Sequence, residues 1–450
     1  MNRKQRILEL YSRLGRRGLI WYGTRGTDSQ ALLEFPHFSK VFSLIAPLGA
    51  LSLELEVCLE TLKGERVDLD AYRIATDTSL EALKFQRSLF ESLKEPAVVM
   101  TYRSDPVFTA LYYPSSEFVE YLGLFHERQA PFEHKPWVET ELRKWGVLTV
   151  PRRYLRDDDR DLLEDLLAGG PVVARATRSD GGEGLALIEA PDEIDAKLPP
   201  HSDGFFSVAP YLVPNIPLNV NAVVFQDGSV SLHSPSLQLI GIPGLTNRFF
   251  GYCGNDFAQI RELDAEILDS LEETTIKVGK WLASMGYIGA FGIDALFYLR
   301  DGKVYLTEIN PRFQGSSHLS SLIDIDLDRS DMFLEHMAAF WGLSPPAPLR
   351  LRDLAKHQRR ISQVICHNCT PYPVRRNSRQ VPETEDVECM LLPAKDVIVD
   401  PQAILFRAVI EGSVTEDGGS LCGTYGEKLQ YLARYLFNAD SSSKEDKEVR

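Results

Sequence analysis

The chain is short of cysteine, long hydrophobic runs and basic charge, and each shortage excludes a class of protein. Six cysteines among 450 residues are too few for a disulfide framework. The longest apolar stretch, residues 41–53, contains a proline and a glycine and is too short to span a bilayer. Residues 1–18 are basic but lack the apolar segment of a signal peptide. We therefore expect a soluble cytoplasmic protein.

The balance of charge is acidic. Asp and Glu total 64 against 49 Lys and Arg, which gives a formal net charge of −15. Binding to a nucleic-acid backbone or to an anionic membrane needs clustered basic residues, so we expect neither partner. The sequence contains no Walker motif, no His-Glu-x-x-His motif and no Gly-x-Ser-x-Gly motif. We therefore do not expect a P-loop nucleotide hydrolase, a zinc protease or a serine hydrolase of the α/β type. The expected partners are small-molecule substrates, and a homodimer is left open.

The cysteines leave one metal site to consider. Cys366 and Cys369 have the CxxC spacing of some zinc sites, and Cys389 and Cys422 could supply two more ligands. The second pair is irregularly spaced, so two reduced thiols are the simpler interpretation and zinc stays an alternative.

Hydrophobic periodicity divides the chain into units. Residues 1–130 alternate apolar runs with helical patterns, which predicts a small α/β domain with a mostly parallel sheet. A helix there is expected to begin with a capping box formed by Thr78 and Glu81. Strand-like segments 205–212 and 219–225 suggest a hairpin. The predicted units are a first domain at 1–130, a core at 131–343, a small C-terminal domain at 350–438 and a disordered tail at 439–450.

Two acids interrupt otherwise apolar strands between Gly289 and Ser317. Asp294 and Glu308 flank an Asp-Gly turn. A two-residue loop would put them on opposite faces, whereas a three-residue loop with Gly302 in the left-handed conformation places them directly opposite each other. Unpaired carboxylates in an apolar strand are costly, and magnesium, which prefers hard oxygen ligands, would remove that cost. Asn310 lies on the same side of its strand, and Arg312 can form a fork with phosphate oxygens.

These residues resemble the magnesium- and phosphate-binding motif of the ATP-grasp superfamily. The resemblance continues upstream to Phe132 and implies an α/β ATP-grasp fold that uses ATP and Mg²⁺. It also implies a set of roles. The metal ligands would be Asp294, Glu308 and Asn310; the catalytic residues Arg312 and Arg175; and the nucleotide-binding residues Lys135, Arg175, Ser179, Gly181, Gly182, Gly184, Tyr211 and Leu212. Residues 179–184 resemble the glycine flap that covers the phosphates, and glycines there permit close backbone approach.

Three positions depart from the superfamily pattern. Arg175 stands where a lysine is usual, which keeps the charge but changes its geometry. The linker Ala209–Leu212 lacks the acid that usually faces adenine, and Pro217–Asn219 lacks the acid that usually holds the ribose. Main-chain groups near residues 210–212 could still bind adenine. Gly292 occupies the place where D-alanine ligases, by similarity, have an arginine.

The resemblance implies a carboxylate–amine ligase that forms an amide or peptide bond through an acyl phosphate and releases ADP. The Gly23–Asp28 turn and the small C-terminal unit are similar to peptide ligases of natural-product assembly, such as the pheganomycin type. Amino acids or peptides are then the expected substrates. Two alternatives remain: an ATP-grasp carboxylase, although no biotinyl-acceptor module is present, and a synapsin-like nucleotide-binding regulator without ligation.

Overall fold

The computed structural model describes residues 2–48, 55–156, 158–177, 181–182, 184–199, 204–382 and 386–439, and it has a mixed α/β architecture. The predicted tail beyond residue 439 and flap residue Ser179 lie outside the described residues. Within the described ranges, no helix is both long enough and apolar enough to cross a membrane.

The first 130 residues contain a parallel sheet, as predicted. The helices are α1 (Arg3–Leu14), α2 (Leu59–Lys63), α3 (Leu80–Ser92), α4 (Pro106–Tyr112) and α5 (His126–Gln129). The strands are β1 (Gly18–Arg25), β2 (Phe38–Ile45), β3 (Glu56–Cys58), β4 (Glu65–Arg66), β5 (Ala97–Thr101) and β6 (Val119–Leu122). Five of them form a sheet in the order β3-β2-β1-β5-β6, and every pair is parallel.

Both faces of β1 are buried, which explains its continuous apolar sequence. Trp21 packs edge-on against Phe333, whereas Tyr22, on the opposite face, packs against Phe108. The predicted capping box before α3 is wrong. Ser79, rather than Thr78, is the N-cap, and its hydroxyl accepts a hydrogen bond from the Ala82 N–H at 3.3 Å.

The central part of the chain builds two further sheets. Its helices are α6 (Lys135–Lys144), α7 (Arg160–Leu167), α8 (Ile194–Lys197), α9 (Ala265–Ser284), α10 (Ser317–Asp326) and α11 (Met332–Phe340). Its strands are β7 (Arg153–Leu155), β8 (Val172–Ala176), β9 (Leu185–Ile188), β10 (Phe206–Pro210), β11 (Asn215–Val224), β12 (Val230–Leu232), β13 (Ser236–Ile240), β14 (Tyr252–Asp256), β15 (Gly289–Tyr298) and β16 (Lys303–Asn310).

The predicted hairpin between residues 205 and 225 does not form. β10 belongs to a four-stranded antiparallel sheet, β7-β10-β8-β9, whereas β11 lies in a nine-stranded sheet beside β15. The two strands serve different cores. Phe206 and Val208 of β10 are buried with Leu163 of α7, and Leu218 and Val220 of β11 are buried with the apolar face of α9. Proximity in sequence was therefore a poor guide to strand pairing here.

The C-terminal residues extend the large sheet. They form helices α12 (Leu351–His357) and α13 (Tyr425–Leu436) and strands β17 (Ile361–His367), β18 (Val374–Arg376), β19 (Val387–Met390), β20 (Ile398–Val399), β21 (Ile404–Glu411) and β22 (Phe437–Ala439). β17 pairs with β14 and β21, so strands of the C-terminal part continue the same sheet as the acidic hairpin. β20 pairs with β4 of the first unit, so the C-terminal part of the chain contacts the first unit directly.

Candidate active site

Asp294 and Glu308 are directly opposite each other on β15 and β16, as predicted. The turn that the sequence predicted for this pairing is wrong. Tyr298 pairs with Lys303, so the loop contains the four residues 299–302, with Gly302 at φ 69°. A β-bulge at Thr307 adds one unpaired residue to β16, and this shift of register brings Glu308 opposite Asp294. The Thr307 hydroxyl donates to the Asp294 carbonyl at 2.9 Å, which fixes the bulge.

The Asp294 carboxylate is held by side-chain amides. Its Oδ1 accepts from Asn219 Nδ2 at 2.7 Å and from Gln238 Nε2 at 2.8 Å, and its Oδ2 accepts from Asn310 Nδ2 at 3.0 Å. Burial and the nearby Glu308 raise the pKa of Asp294 to about 6, against the opposing effect of the amide hydrogen bonds. Asn219 and Gln238 were not predicted as site residues, because their approach to Asp294 depends on which strands become neighbours.

Lys135 and Glu308 form an ion pair across two elements. Lys135 begins α6, and its Nζ lies 2.7 Å from Glu308 Oε1. Both side chains are largely buried, so the pair is well shielded from water. The structure thus places a predicted nucleotide-binding lysine in contact with a predicted metal ligand. The two functional roles themselves stay predictions.

Arg175 makes its hydrogen bonds within the protein. The side chain is only 2% exposed, and its Nη2 donates to Glu139 while its Nη1 donates to the Thr307 carbonyl at 3.1 Å. Glu139 also accepts from Arg152 Nε at 3.1 Å and from the Tyr154 hydroxyl at 2.7 Å. Burial alone would raise the pKa of Glu139, but the two guanidinium groups hold it below its ordinary value. Arg175 therefore braces the bulge beneath Glu308, and its contact with phosphate stays a prediction.

Arg312 lies beside Asn310 at the end of β16. Its Nη1 donates to Asn310 Oδ1, and its N–H donates to the Asn310 carbonyl at 2.8 Å. Arg312 also lines a cleft between the first unit and the hairpin. This position places Arg312 beside the predicted metal ligand Asn310, and its contact with phosphate stays a prediction.

Two glycines of the flap, Gly181 and Gly182, pack closely against neighbouring chain segments. Gly181, Gly182 and Gly184 have φ values of 54°, 85° and 74°. A Cβ atom on Gly182 would lie 2.4 Å from the Phe250 carbonyl oxygen, and one on Gly181 would lie 2.0 Å from Asp70 Oδ2. Only glycine combines these dihedral angles with such close approach.

The candidate adenine linker is partly engaged in the structure. The Tyr211 N–H donates to the Pro171 carbonyl at 2.9 Å, and the Leu212 carbonyl accepts from Asn215 Nδ2 at 2.5 Å. The Tyr211 ring packs edge-on against Phe249 and Phe250, with ring centroids 6.2 and 6.1 Å apart. Phe249 and Phe250 therefore form an aromatic surface beside the linker. Adenine binding by Tyr211 and Leu212 stays a prediction.

The facing carboxylates of the hairpin are hard oxygen donors of the kind that magnesium binds, since this ion usually takes one or two carboxylates together with nucleotide phosphates. The Asn310 amide donates from Nδ2 to Asp294 and accepts from Arg312 at Oδ1, so its oxygen faces away from Asp294 in this structure and its role as a metal ligand stays a prediction. Asp294, buried with a raised pKa, is a carboxylate that a cation would stabilise in its ionised form. Among the described residues, no three His, Cys, Asp or Glu side chains come together as metal ligands, so the alternative zinc site has no support.

Comparison with known proteins agrees with this geometry. Residues 140–316 match the ATP-grasp domain family, and no curated protein sequence matches the chain. A biotin carboxylase–β,γ-ATP complex from Campylobacter jejuni is similar in structure, with a TM-score of 0.61 at 14% identity over 94% of this chain and 92% of that one. Carboxyaminoimidazole ribonucleotide synthase from Aspergillus clavatus, complexed with ATP, gives a TM-score of 0.57 at 14% identity over 88% of this chain and 94% of that one.

A third similar structure is the biotin carboxylase domain of the Hydrogenobacter thermophilus 2-oxoglutarate carboxylase, in complex with MgADP and bicarbonate. It has a TM-score of 0.59 at 13% identity and covers 88% of this chain and 86% of that one. The chain therefore contains an ATP-grasp domain and has the ATP-grasp fold, as the resemblance of its hairpin implied.

Proposed function

We propose that the protein is an ATP-dependent carboxylate–amine ligase that uses Mg²⁺ and releases ADP and phosphate. The observation that carries the proposal is the pairing of Asp294 with Glu308, with Lys135 on one side and Arg312 on the other. Two carboxylates and two cationic side chains at one point suit the terminal phosphates of a metal-bound nucleotide. The similar structures with bound ATP or MgADP support nucleotide use by this fold.

The proposed reaction has two steps. In the first, a substrate carboxylate oxygen attacks the γ-phosphorus of ATP, the bond from that phosphorus to the β–γ bridging oxygen breaks, and ADP leaves. In the second, an amine attacks the acyl carbon and phosphate departs with the carbon–oxygen bond electrons, while the amine loses a proton. Asp294 and Glu308, with Asn310 as the predicted third ligand, would hold magnesium, which would neutralise charge on the phosphates.

The chain's own residues bind and orient the reacting groups. Arg312 donates to the oxygens of the transferred phosphoryl group, where negative charge is concentrated. Lys135, which pairs with Glu308 in this structure, would bind a nucleotide phosphate. Asn219 and Gln238 keep Asp294 in one orientation. Arg175 and Glu139 hold the bulge that sets Glu308 opposite Asp294.

The proposal is tested by a screen of amino acids and peptides for ADP release, repeated with hydroxylamine in place of the amine. A ligase gives ADP with at least one carboxylate, and hydroxylamine traps the acyl phosphate as a hydroxamate. A protein that binds Mg-ATP but yields neither product across the panel would be a nucleotide-binding regulator instead. The finer form of the proposal, a peptide ligase of the pheganomycin type, additionally requires a peptide product.

A carboxylase is the second candidate, because the similarity to biotin carboxylase extends over 94% of the chain rather than over the nucleotide-binding part alone. Carboxylases of this fold would phosphorylate bicarbonate instead of an organic acid. ADP release that depends on bicarbonate, and that organic carboxylates do not stimulate, would favour this candidate over the ligase.

A further inference from the structure

The cleft between the first unit and the hairpin is small. Its walls come from the ends of β5 and β6, from the last residue of α5 and from the segment that follows β16. In open parallel sheets, ligands bind outside the carboxyl ends of the strands, and β5 and β6 present those ends to this cleft. The space inside it is about 20 Å³, which is enough for roughly one or two water molecules. The cleft therefore suits one small group of a ligand and not a whole substrate molecule.

Several polar groups in the walls are already satisfied within the protein. The hydroxyls of Thr101 and Tyr121 form a hydrogen bond of 2.9 Å with each other. The His336 ring accepts from the Ala290 N–H at Nδ1, and its Nε2 lies 2.9 Å from the Leu122 carbonyl. These groups need no ligand.

The side-chain amide of Gln129 is different. Gln129 is 5% exposed, and its Nε2 has no hydrogen-bond partner in the part of the chain that the structure describes. Leaving a buried amide donor without an acceptor is costly, so an acceptor that enters the cleft would be stabilised there. A charged acceptor forms a stronger hydrogen bond than a neutral one.

The charge of the walls favours an anion. Arg103 from the first unit and Arg312 from the hairpin both line the cleft, and none of the described residues that line it is Asp or Glu. Arg312 also contacts Asn310, so this wall lies next to the predicted metal site. Guanidinium groups match the planar oxygens of a carboxylate, which is a group small enough for the cleft.

We propose that this cleft is a subsite for one planar carboxylate group, which accepts from Gln129 Nε2 and is neutralised by Arg103 and Arg312. The remainder of the ligand stays outside the cleft. The assignment rests on the proposed function, in which Arg312 would contact both the attacking carboxylate and the phosphoryl group. Bicarbonate carries the same planar pair of oxygens as an organic carboxylate, so the experiment has to separate these two sources.

Urea unfolding of the full chain without nucleotide tests the subsite, in sodium acetate, sodium bicarbonate and sodium chloride at one pH and one ionic strength. An anion that binds only the folded state raises the unfolding midpoint as its concentration increases. Acetate should raise the midpoint above that in chloride if the subsite takes organic carboxylates. Protection by bicarbonate alone would assign the same subsite to bicarbonate and favour the carboxylase.

Two substitutions of Gln129 separate binding from structure, each measured with the anion that protects. Gln129→Leu removes the donor and should weaken binding of that anion by about tenfold. Gln129→Glu places a carboxylate inside the cleft, so it should raise the midpoint in chloride and abolish the protection. A purely structural Gln129 predicts the reverse for this variant, because a buried carboxylate without cationic partners destabilises a protein. Arg128→Gln, an exposed change of equal charge on α5, is the matched control and should keep the wild-type response.

No protection by acetate or bicarbonate beyond that of chloride, unchanged protection in Gln129→Leu, or a destabilised Gln129→Glu variant would overturn the assignment. The two proposals fail in different ways. Protection that depends on Gln129, without ADP release from any carboxylate, would leave the subsite standing and remove the ligase. ADP release with the same KM for the carboxylate in Gln129→Leu and the wild type would leave the ligase standing and remove the subsite.

Discussion

The side-chain amide of Gln314 fills the space beside Gly292, so closely that a Cβ atom at residue 292 would lie 1.3 Å from Gln314 Nε2. Gln314 Oε1 accepts from Asn219 Nδ2 at 2.9 Å and from Asn310 Nδ2 at 3.2 Å, and both amides also donate to Asp294. The glycine is thus required by the network that holds the metal-binding acid. An arginine at residue 292, the D-alanine ligase pattern, is incompatible with this arrangement.

Gly292→Ala should destabilise the protein by about 1–3 kcal/mol, the usual cost of overpacking a buried site. Adding Gln314→Ala should recover part of that loss, because it removes the atoms that the new methyl group meets. Urea unfolding of the two single variants and the double variant gives the coupling free energy. Strictly additive changes would show that Gln314 does not restrict residue 292.

Asp294 should make the stability of the metal-free protein depend on pH. Its pKa in the folded chain is about 6, against an ordinary value of 3.8, so the folded state binds more protons than the unfolded state between these values. The contribution of Asp294 to stability is therefore complete below about pH 4 and is lost as the pH rises through 6. The unfolding free energy of Asp294→Asn minus that of the wild type should increase across this window. A difference that is flat with pH would contradict the raised pKa.

Arg175→Ala should cost about 3 kcal/mol or more in unfolding free energy, because removing one member of a buried ion pair leaves a buried charge with fewer partners. Glu139 would keep its hydrogen bonds from Arg152 and Tyr154, so we expect a loss of unfolding free energy of about 3 kcal/mol rather than a larger one. Arg175→Lys should also be destabilised, since one ammonium group cannot reproduce the guanidinium contacts with Glu139 and Thr307. ATP titration of the lysine variant tests the phosphate contact separately. Wild-type stability in both variants would show that the pair does not brace the hairpin.

Glu308→Gln should abolish ADP release while the protein remains folded, because the amide removes the charge that binds magnesium but keeps the size of the side chain. Glu266→Gln, an exposed change on α9, is the matched control and should retain full activity. Circular dichroism checks the fold of both. Near-normal ADP release by the Glu308 variant would remove the metal-binding role of this acid.

The acidic hairpin shows which parts of the site could be predicted from the sequence. Residue types and their spacing predicted that Asp294 lies opposite Glu308, and the structure confirms this pairing. The route to that pairing was not predictable. A four-residue turn and the bulge at Thr307 offset each other, and a bulge leaves no regular pattern in the residues around it.

Contacts between distant segments account for most of what the sequence could not show. The parallel sheet of the first unit followed from alternating strand and helix patterns, and the structure confirms it. Arg175 has its carboxylate partner 36 residues away on α6, so its charge suggested a phosphate contact while its neighbours remained unknown.

The transfer of oxygen from the carboxylate to phosphate tests the central claim most directly. Carboxylates from the screening panel, labelled with heavy oxygen, are incubated with the protein, Mg-ATP and an amine, and the products are separated and examined by phosphorus NMR. An acyl-phosphate ligase moves one labelled oxygen into inorganic phosphate and leaves ADP unlabelled, because the carboxylate oxygen that attacks the γ-phosphorus departs with it. Labelled AMP with pyrophosphate, or unlabelled phosphate alongside an amide product, would contradict the mechanism.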